Sequence, residues 1–231
     1  MGEKIAVITA RGGSKRIPKK NVRKFCGKPI IAYSIEAAIE SGLFSEVMVS
    51  TDSEEIAEIA KQYGAKVPFM RSAKTADDFA TTADVILEVL EKYREMGREF
   101  AYVCCIYPTA PFVTAEKLAQ AVRLMEEKNP TVVMPMTAFS YPPQRSFVQD
   151  KDGLMKYKYP EYMTARSQDL EKQYHDAGQF YVYHTEKYLA CNGKVVSGVM
   201  AVIVSDLEVQ DIDNEEDWKT AELKYRLMKG V

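Results

Sequence analysis

Along the first 136 residues, short apolar runs that end in loops alternate with segments whose apolar residues recur at helical spacing. The runs at 4–9, 46–50, 66–70, 102–106 and 131–136 predict strands, because they are brief and bounded by loop residues. Strands separated by helices predict an α/β architecture, a mostly parallel sheet with helices on its faces. Side-chain chemistry marks the helix ends. Asp52 with Glu55 three residues later predicts a capping box, and Gly64 a stop; Gly42 and Gly97 end two other helices in the same way. Thr114 predicts the cap of a helix that buries Leu118, Val122 and Met125, and Asn214 the cap of a C-terminal helix.

The alternation fails over residues 137–176. There "SYPPQRSF", the hairpin-like "VQDKDGLMKY" and "YKYPEYMTARSQDLEKQYHD" are polar, aromatic and poor in helical period. This predicts an excursion outside the main sheet. Its tyrosines and phenylalanines argue against disorder and leave a lid, or an arm that packs on a second subunit. Strand patterns resume at 178–184 and 198–205, and there are no internal repeats, so residues 1–231 read as a single domain carrying one insertion.

Composition narrows the function classes. With 231 residues, 46% of them hydrophobic, the chain can bury a substantial core. Its formal net charge of −2 argues against a nucleic-acid partner, so any anion site must be local. No apolar stretch approaches the roughly 20 residues of a membrane span. Cys26, Cys104, Cys105 and Cys191 form no CxxC pair, and no apolar leader core opens the chain; both observations favour a reduced, cytoplasmic setting with cysteines used as small buried hydrophobes.

The local charge sits directly after the first strand, in "ARGGSKRIPKKN". Loops beyond the carboxyl ends of α/β strands are the usual place for phosphate. Gly12 and Gly13 permit tight bends whose N–H groups can face an anion, while Arg11, Lys15, Arg16, Lys19 and Lys20 supply forked and point-like cations around Ser14. Ile17 stands where a Walker A motif needs glycine, and the loop is not GxGxxG, so P-loop ATPases and Rossmann dehydrogenases lose ground. Far along the chain, Asp211 and Asp213 alternate around Ile212, which on a strand would place both carboxylates on one side. Such a pair suits magnesium (Mg2+), with waters and substrate phosphate completing its shell. Arg71, Asp77, Asp78, Thr81 and Thr82 follow the predicted third strand, the threonines fitting a helix cap as well as a ligand role. "YPTAPF" presents Tyr107 and Thr109 after the fourth. With only two histidines and no HExxH spacing, zinc hydrolysis and Ser-His-Asp chemistry have little support.

In their order and spacing, "ARGGSKRIPKKN", "VSTDSEEIAEIAKQYGAKVPFMR", "YPTAPF", "HDAGQFY" and "DIDNEEDW" resemble the N-acylneuraminate cytidylyltransferase family, from the first strand to the C-terminal helix. That resemblance implies a three-layer, Rossmann-like nucleotidyltransferase fold and transfer of CMP from CTP to a nine-carbon keto-acid (nonulosonic acid) sugar. It further implies that Arg11, Ser14, Lys15 and Lys20, with Gly12 and Gly13, hold the triphosphate; that Asn21 and Arg71 help hold the cytidine, with Asp78 and Thr81 nearby; and that Asp211 and Asp213 hold magnesium. On the sugar side it implies Tyr107, Thr109, Arg166, Gln168, His175 and Gln179, with residues 137–176 forming the arm of a homodimer that reaches toward the partner's sugar site. The sialic acid branch typically has Gln at the position of Tyr107 and Arg near that of His175. "YPTAPF", "YPPQRSF" and "RSQDLEKQYHDAGQFY" most resemble the branch that activates pseudaminic acid. Sialic or legionaminic acid as acceptor, and a catalytically silent nucleotide-binding protein, are the competing expectations.

Overall fold

In the computed structural model, which describes residues 2–230, β1 (Lys4–Thr9) leads through the short pair β2 (Lys24–Phe25) and β3 (Lys28–Pro29) into α1 (Ile30–Glu40). There follow β4 (Glu46–Ser50), α2 (Glu54–Gln62), the one-turn α3 (Ala73–Ala76), α4 (Thr82–Glu95), β5 (Tyr102–Ile106), α5 (Ala115–Lys128) and β6 (Val132–Ala138). An arm with the hairpin β7 (Phe147–Gln149) and β8 (Met155–Tyr157) comes next. The chain re-enters the body at β9 (Tyr174–Asp176) and continues through β10 (Phe180–His184), α6 (Thr185–Ala190), β11 (Val199–Ile203) and α7 (Glu215–Lys229).

The main sheet has the order β11-β6-β10-β5-β1-β4, with β9 also paired to β6. Five strands run one way, and β9 and β10 run against them. The reversal has a topological cause. β6 leaves the sheet at its carboxyl edge, the arm returns there as β9, and without a crossover to the far edge the next strand must run antiparallel.

Period-two alternation divides the core. Ala6 and Ile8 of β1 join Cys104, Ile106 and Val49 beneath α1, α2 and α5, whereas Ile5 and Val7 join Val103, Cys105 and Met48 beneath α4 and α6. The result is the expected three-layer α/β fold, helices over both faces of a mostly parallel sheet. A third cluster, in which Ile17, Phe25, Ile30, Phe112, Ile212 and Trp218 meet, lies under the loop that follows β1.

Most helix punctuation agrees with the sequence. Gly42, Gly64 and Gly97 take positive φ at helix ends, Thr114 accepts from the Lys117 N–H, and Asn214 forms a capping box with Asp217. Asp52 differs. Ser53 caps α2, accepting from the Ile56 N–H, and the Asp52 carboxylate accepts the Gly12 N–H at 2.8 Å instead. The strand expected at 66–70 is also absent: Lys66 makes one parallel bridge to Met48, and the ladder stops before Pro68, which has no N–H to continue it. Residues 137–176 are not wholly outside the sheet, since Thr137 and Ala138 finish β6 and pair with His175 and Tyr174 of β9. Cys104 and Cys105 are buried in β5; burial pushes the Cys105 thiol up to about 12, as expected of an inert core residue.

Candidate active site

Two buried isoleucines bring the basic loop to the acidic pair. Ile17, inside the loop after β1, and Ile212, between Asp211 and Asp213, pack in the same cluster with Trp218 of α7. Each isoleucine pulls its charged neighbours to the carboxyl edge of β1 and β5. Arg23 closes the junction, donating to both carboxylate oxygens of Glu215 at 2.5 and 2.9 Å with its guanidinium 4.5 Å from the Trp218 ring. The segment 211–213 belongs to no strand, so the expected strand does not form; the alternation survives, with Ile212 buried and Asp211 exposed.

Lys20 bridges the two charge systems. Its Nζ donates to the Ile212 carbonyl at 2.7 Å. Burial pushes its pKa below the usual lysine range, while the carboxylates of Asp213 and Asp211 pull in the opposite direction. Arg16 pairs with Asp213 at 2.7 Å.

A cleft of about 290 Å³ opens at this edge. Arg11, Ser14, Lys15, Lys20 and Asn21 line one side, Tyr107 and Thr109 the other, and Asp211 borders it; all eight were singled out from the sequence. Thr82, Arg16 and Pro108 also line it. A larger hollow of about 640 Å³ lies at the opposite, amino end of β5, between α4 and α6. Leu87, Leu90, Leu189 and Phe100 line that hollow together with Glu91, Arg94, Arg98 and Glu186, and none of the loops at the carboxyl ends of the strands reaches it.

The other named residues stand behind or beside the cleft. Asp78 accepts from Arg11 at 2.8 Å and pairs with Lys15; hydrogen bonds from Lys15 and then Arg11 hold its carboxyl below the usual range. Asp78 therefore holds two cations in place. Arg71 is buried, with Nη2 on the Ser50 carbonyl at 2.6 Å and Nε on the Ser50 hydroxyl at 3.1 Å, and burial lowers its pKa. The Asn21 amide donates to the Arg11 carbonyl at 2.8 Å, which fixes the start of the loop.

The glycines do less than their sequence suggests. Neither Gly12 nor Gly13 takes positive φ, and the Gly12 N–H, expected to face an anion, is already given to Asp52. Gly12 instead permits a close approach, because a Cβ there would stand 3.1 Å from that of Ser53. Thr81 forms the expected cap of α4, in a reciprocal capping box with Asp84. Thr82, one position on, reaches the cleft.

Among the residues that the family resemblance assigns to the sugar, Tyr107 is pinned through its backbone: its N–H donates to the Gln179 carbonyl at 2.8 Å and its carbonyl accepts from Ser34 at 2.7 Å. Gln179 itself is buried, its amide donating to the Glu208 carbonyl at 2.5 Å, and it does not line the cleft. His175 on β9 packs against Phe139, and its Nδ1 lies 2.8 Å from the Asp176 carbonyl. Arg166 pairs with Asp169 at 2.8 Å, and both it and Gln168 are exposed on the arm and do not line the cleft.

Sequence reasoning missed Asp52 and Asp176. Asp176 accepts the Gly178 N–H and the Tyr181 hydroxyl, both at 2.7 Å, next to Tyr107. The one available signal was an aspartate two residues before a glycine that turns a strand.

Comparison with known proteins identifies the family. The profile of a family described as cytidylyltransferase matches residues 5–197. A pseudaminic acid cytidylyltransferase of Campylobacter jejuni is 38% identical over 96% of both chains. A CMP-N,N'-diacetyllegionaminic acid synthase of Legionella pneumophila is 34% identical over 94% of both. Among solved structures, a CMP:2-keto-3-deoxy-manno-octonic acid synthetase complexed with CTP superposes with a TM-score of 0.70 at 17% identity, covering 99% of this chain and all of that one, which supports the fold.

Proposed function

Since the chain belongs to the cytidylyltransferase family and is a nucleotidyltransferase that makes CMP-sugars from CTP, we propose that its acceptor is pseudaminic acid and that the cleft between the basic loop and Asp211 is where transfer occurs. The observation that carries this reading is the convergence of Arg11, Lys15 and Lys20 with Asp211 and Tyr107 on one cleft. The acceptor rests on the Campylobacter relative, whose name specifies pseudaminic acid and whose similarity spans nearly the whole of both chains.

The reaction is an in-line displacement. The anomeric hydroxyl oxygen of the sugar bonds to the α-phosphorus of CTP as the bond to the β-phosphate oxygen breaks, and pyrophosphate leaves. Little covalent chemistry falls to the protein, so rate comes from positioning and charge neutralisation. Arg11, Lys15 and Lys20, with the Ser14 hydroxyl, take the triphosphate and the leaving pyrophosphate; Asp78 releases its hold on Arg11 and Lys15 as phosphate oxygens replace it. Asn21 and Arg71 shape the wall for the cytidine. Tyr107 and Thr109 face the sugar.

Asp211 and Asp213 fit magnesium. They flank the buried Ile212 and both act on the charge of Lys20, and a carboxylate pair suits an ion that takes its other ligands from water and phosphate. When bound, the ion supplies positive charge at the α-phosphoryl. Arg16 must then give up Asp213.

The arm of residues 137–176 supports a homodimer. Tyr141, Phe147, Leu154, Met155 and Met163 expose apolar surface on it. Arg166 and Gln168, which do not line the cleft of their own chain, then serve the partner's sugar site. No helix of the described residues is long and apolar enough to cross a membrane, and the four free cysteines agree with the cytoplasm as the place of reaction.

The test is pyrophosphate release from CTP and magnesium with pseudaminic acid and N-acetylneuraminic acid supplied in parallel. Release with pseudaminic acid alone is expected. Release with N-acetylneuraminic acid alone would overturn the acceptor and keep the transfer; release with neither, including a legionaminic acid arm, would overturn the assignment of the cleft.

A further inference from the structure

Arg11 and Lys15 line the cleft, yet they share a partner that does not. Arg11 donates through Nη1 to the Asp78 carboxylate at 2.8 Å and to the Asp77 carbonyl at 3.2 Å, and Lys15 pairs with the other Asp78 oxygen. One carboxylate thus spans two cations. The segment that presents it has little else to hold it there. Residues 77–80 join the one-turn α3 to the cap of α4, and the Asp77 side chain folds them into a turn by accepting the Phe79 and Ala80 N–H groups at 2.9 and 2.7 Å. Phe79 is 91% exposed and buries almost nothing. Among the described residues, the hydrogen bonds and ion pairs that tie 77–80 to distant parts of the chain are those with Arg11 and Lys15. The three charged groups are themselves solvated, with 39, 45 and 75% of the Arg11, Asp78 and Lys15 side chains exposed. Exposed pairs of this kind contribute little stability, so a phosphate oxygen can replace the carboxylate without stranding a buried charge.

From this geometry we propose that Asp78 is an internal competitor of phosphate: it pairs with Arg11 and Lys15 before CTP binds, yields them to the triphosphate, and returns to them after transfer to displace pyrophosphate. This rests on the reading of the cleft as the site of CMP transfer. A carboxylate and a phosphate oxygen call on the same donors. Two anions at contact with one guanidinium and one ammonium repel each other, so the carboxylate retreats as phosphate arrives. Its turn, tied down by those two cations, is then released with it. The reverse exchange bears on turnover. Cations that stabilise the leaving pyrophosphate also retain it as product. A carboxylate tethered beside them refills Arg11 and Lys15 at high effective concentration and leaves pyrophosphate with Lys20. Asp78 is a positioning residue, acting through Arg11 and Lys15.

Calorimetry with inorganic triphosphate and with pyrophosphate, without magnesium and at one low ionic strength, tests the competition apart from turnover. Asp78→Asn keeps the shape and removes the charge. It is expected to bind both anions about threefold to tenfold more tightly than wild type. A residue that merely props Arg11 and Lys15 in place would act in the opposite direction, so weaker or unchanged binding overturns the proposal. Asp77→Asn is the control. It removes one charge from the same turn, keeps a side-chain oxygen for the Phe79 and Ala80 N–H groups, and its side chain touches neither cation. Its affinities are expected within about twofold of wild type; equal tightening in both variants would reduce Asp78 to a part of the general field and overturn the proposal. In steady-state transfer, the inhibition constant of added pyrophosphate is expected to fall in Asp78→Asn by the same factor as the calorimetric Kd. Tighter calorimetric binding with an unchanged inhibition constant overturns the part of Asp78 in product release. If neither wild type nor Asp78→Asn binds triphosphate, the reading of the cleft fails and the proposal falls with it. If wild type binds triphosphate as tightly as the variant does, that reading stands and the competition alone is overturned.

Discussion

Lys20 and Asp211 share a cleft, and the proposed reading gives cation and carboxylate different parts in transfer. On that reading Lys20 contributes charge to the triphosphate, while its 2.7 Å bond to the Ile212 carbonyl holds the acidic segment in place. Asp211 has no such structural duty and borders the cleft as an exposed carboxylate. Lys20→Ala is therefore expected to weaken CTP binding and slow turnover together. Asp211→Ala should slow turnover about 100-fold or more while CTP affinity, measured by calorimetry at low magnesium without sugar, changes only a few-fold. Unchanged turnover in Asp211→Ala would remove the carboxylate from the mechanism. The residues that carry charge into the cleft were legible because sequence confines them to strand-end loops, where an α/β sheet binds its ligands. Asp52, Asp176 and the inward turn of Gln179 were not. Their partners, the Gly12 N–H, the Tyr181 hydroxyl and the Glu208 carbonyl, become neighbours only after strands and loops from distant parts of the chain are assembled.

The elements most exposed to misreading are those whose ends are set by a single side chain. Residues 66–70 have the composition of a strand, and Pro68 alone keeps them from extending one. Asp52 and Glu55 have the spacing of a capping box, and Ser53 takes the cap because Asp52 is drawn to the loop after β1. The stretch from Arg71 to Thr82, which carries Asp78 to the cations, is held by Glu88 of α4. Glu88 accepts the Ser72 N–H and hydroxyl, both at 2.9 Å, as well as the Thr75 hydroxyl, and pairs with Lys92 at 2.7 Å. Burial favours its neutral form, yet the hydrogen bonds from Lys92, Thr75 and Ser72 prevail and bring its pKa down from 4.5 to about 2. A carboxyl with a depressed folded pKa contributes stability that is complete above its unfolded value and is lost as pH falls through the folded one. The contribution of Glu88, on the order of 3 kcal/mol, is thus expected to disappear between about pH 4.5 and pH 2. Denaturant unfolding of wild type and Glu88→Gln checks this: the two stabilities should differ at pH 7 and converge as the acid limit is approached. A constant difference across that window would show that Glu88 acts by packing alone.

For the whole molecule, the question is whether one chain holds a complete site. Loss of helical period marked the arm in the sequence, but its return was hidden, because the three residues of β9 acquire strand character only by pairing with β6. That return determines where the arm can reach. β9 anchors its base at the carboxyl edge of the sheet, beside Asp176 and Tyr181, while Arg166 and Gln168 are carried outward on exposed backbone. If these two residues serve the partner's cleft, each site takes Asp211 from one protomer and Arg166 from the other. Asp211→Asn and Arg166→Ala homodimers should then both be impaired, yet mixing and reassociating them should restore activity. Random exchange makes half of the dimers mixed, and each mixed dimer holds one site with both residues intact, so about a quarter of wild-type turnover is expected. If Arg166 served its own chain, every site in the mixed dimer would lack one residue or the other and mixing would restore nothing. Exchange itself is checked by carrying different affinity tags on the two variants. Recovered activity that co-purifies with both tags requires a site shared between subunits; co-purification without activity would return Arg166 to its own protomer and leave the arm a purely structural contact.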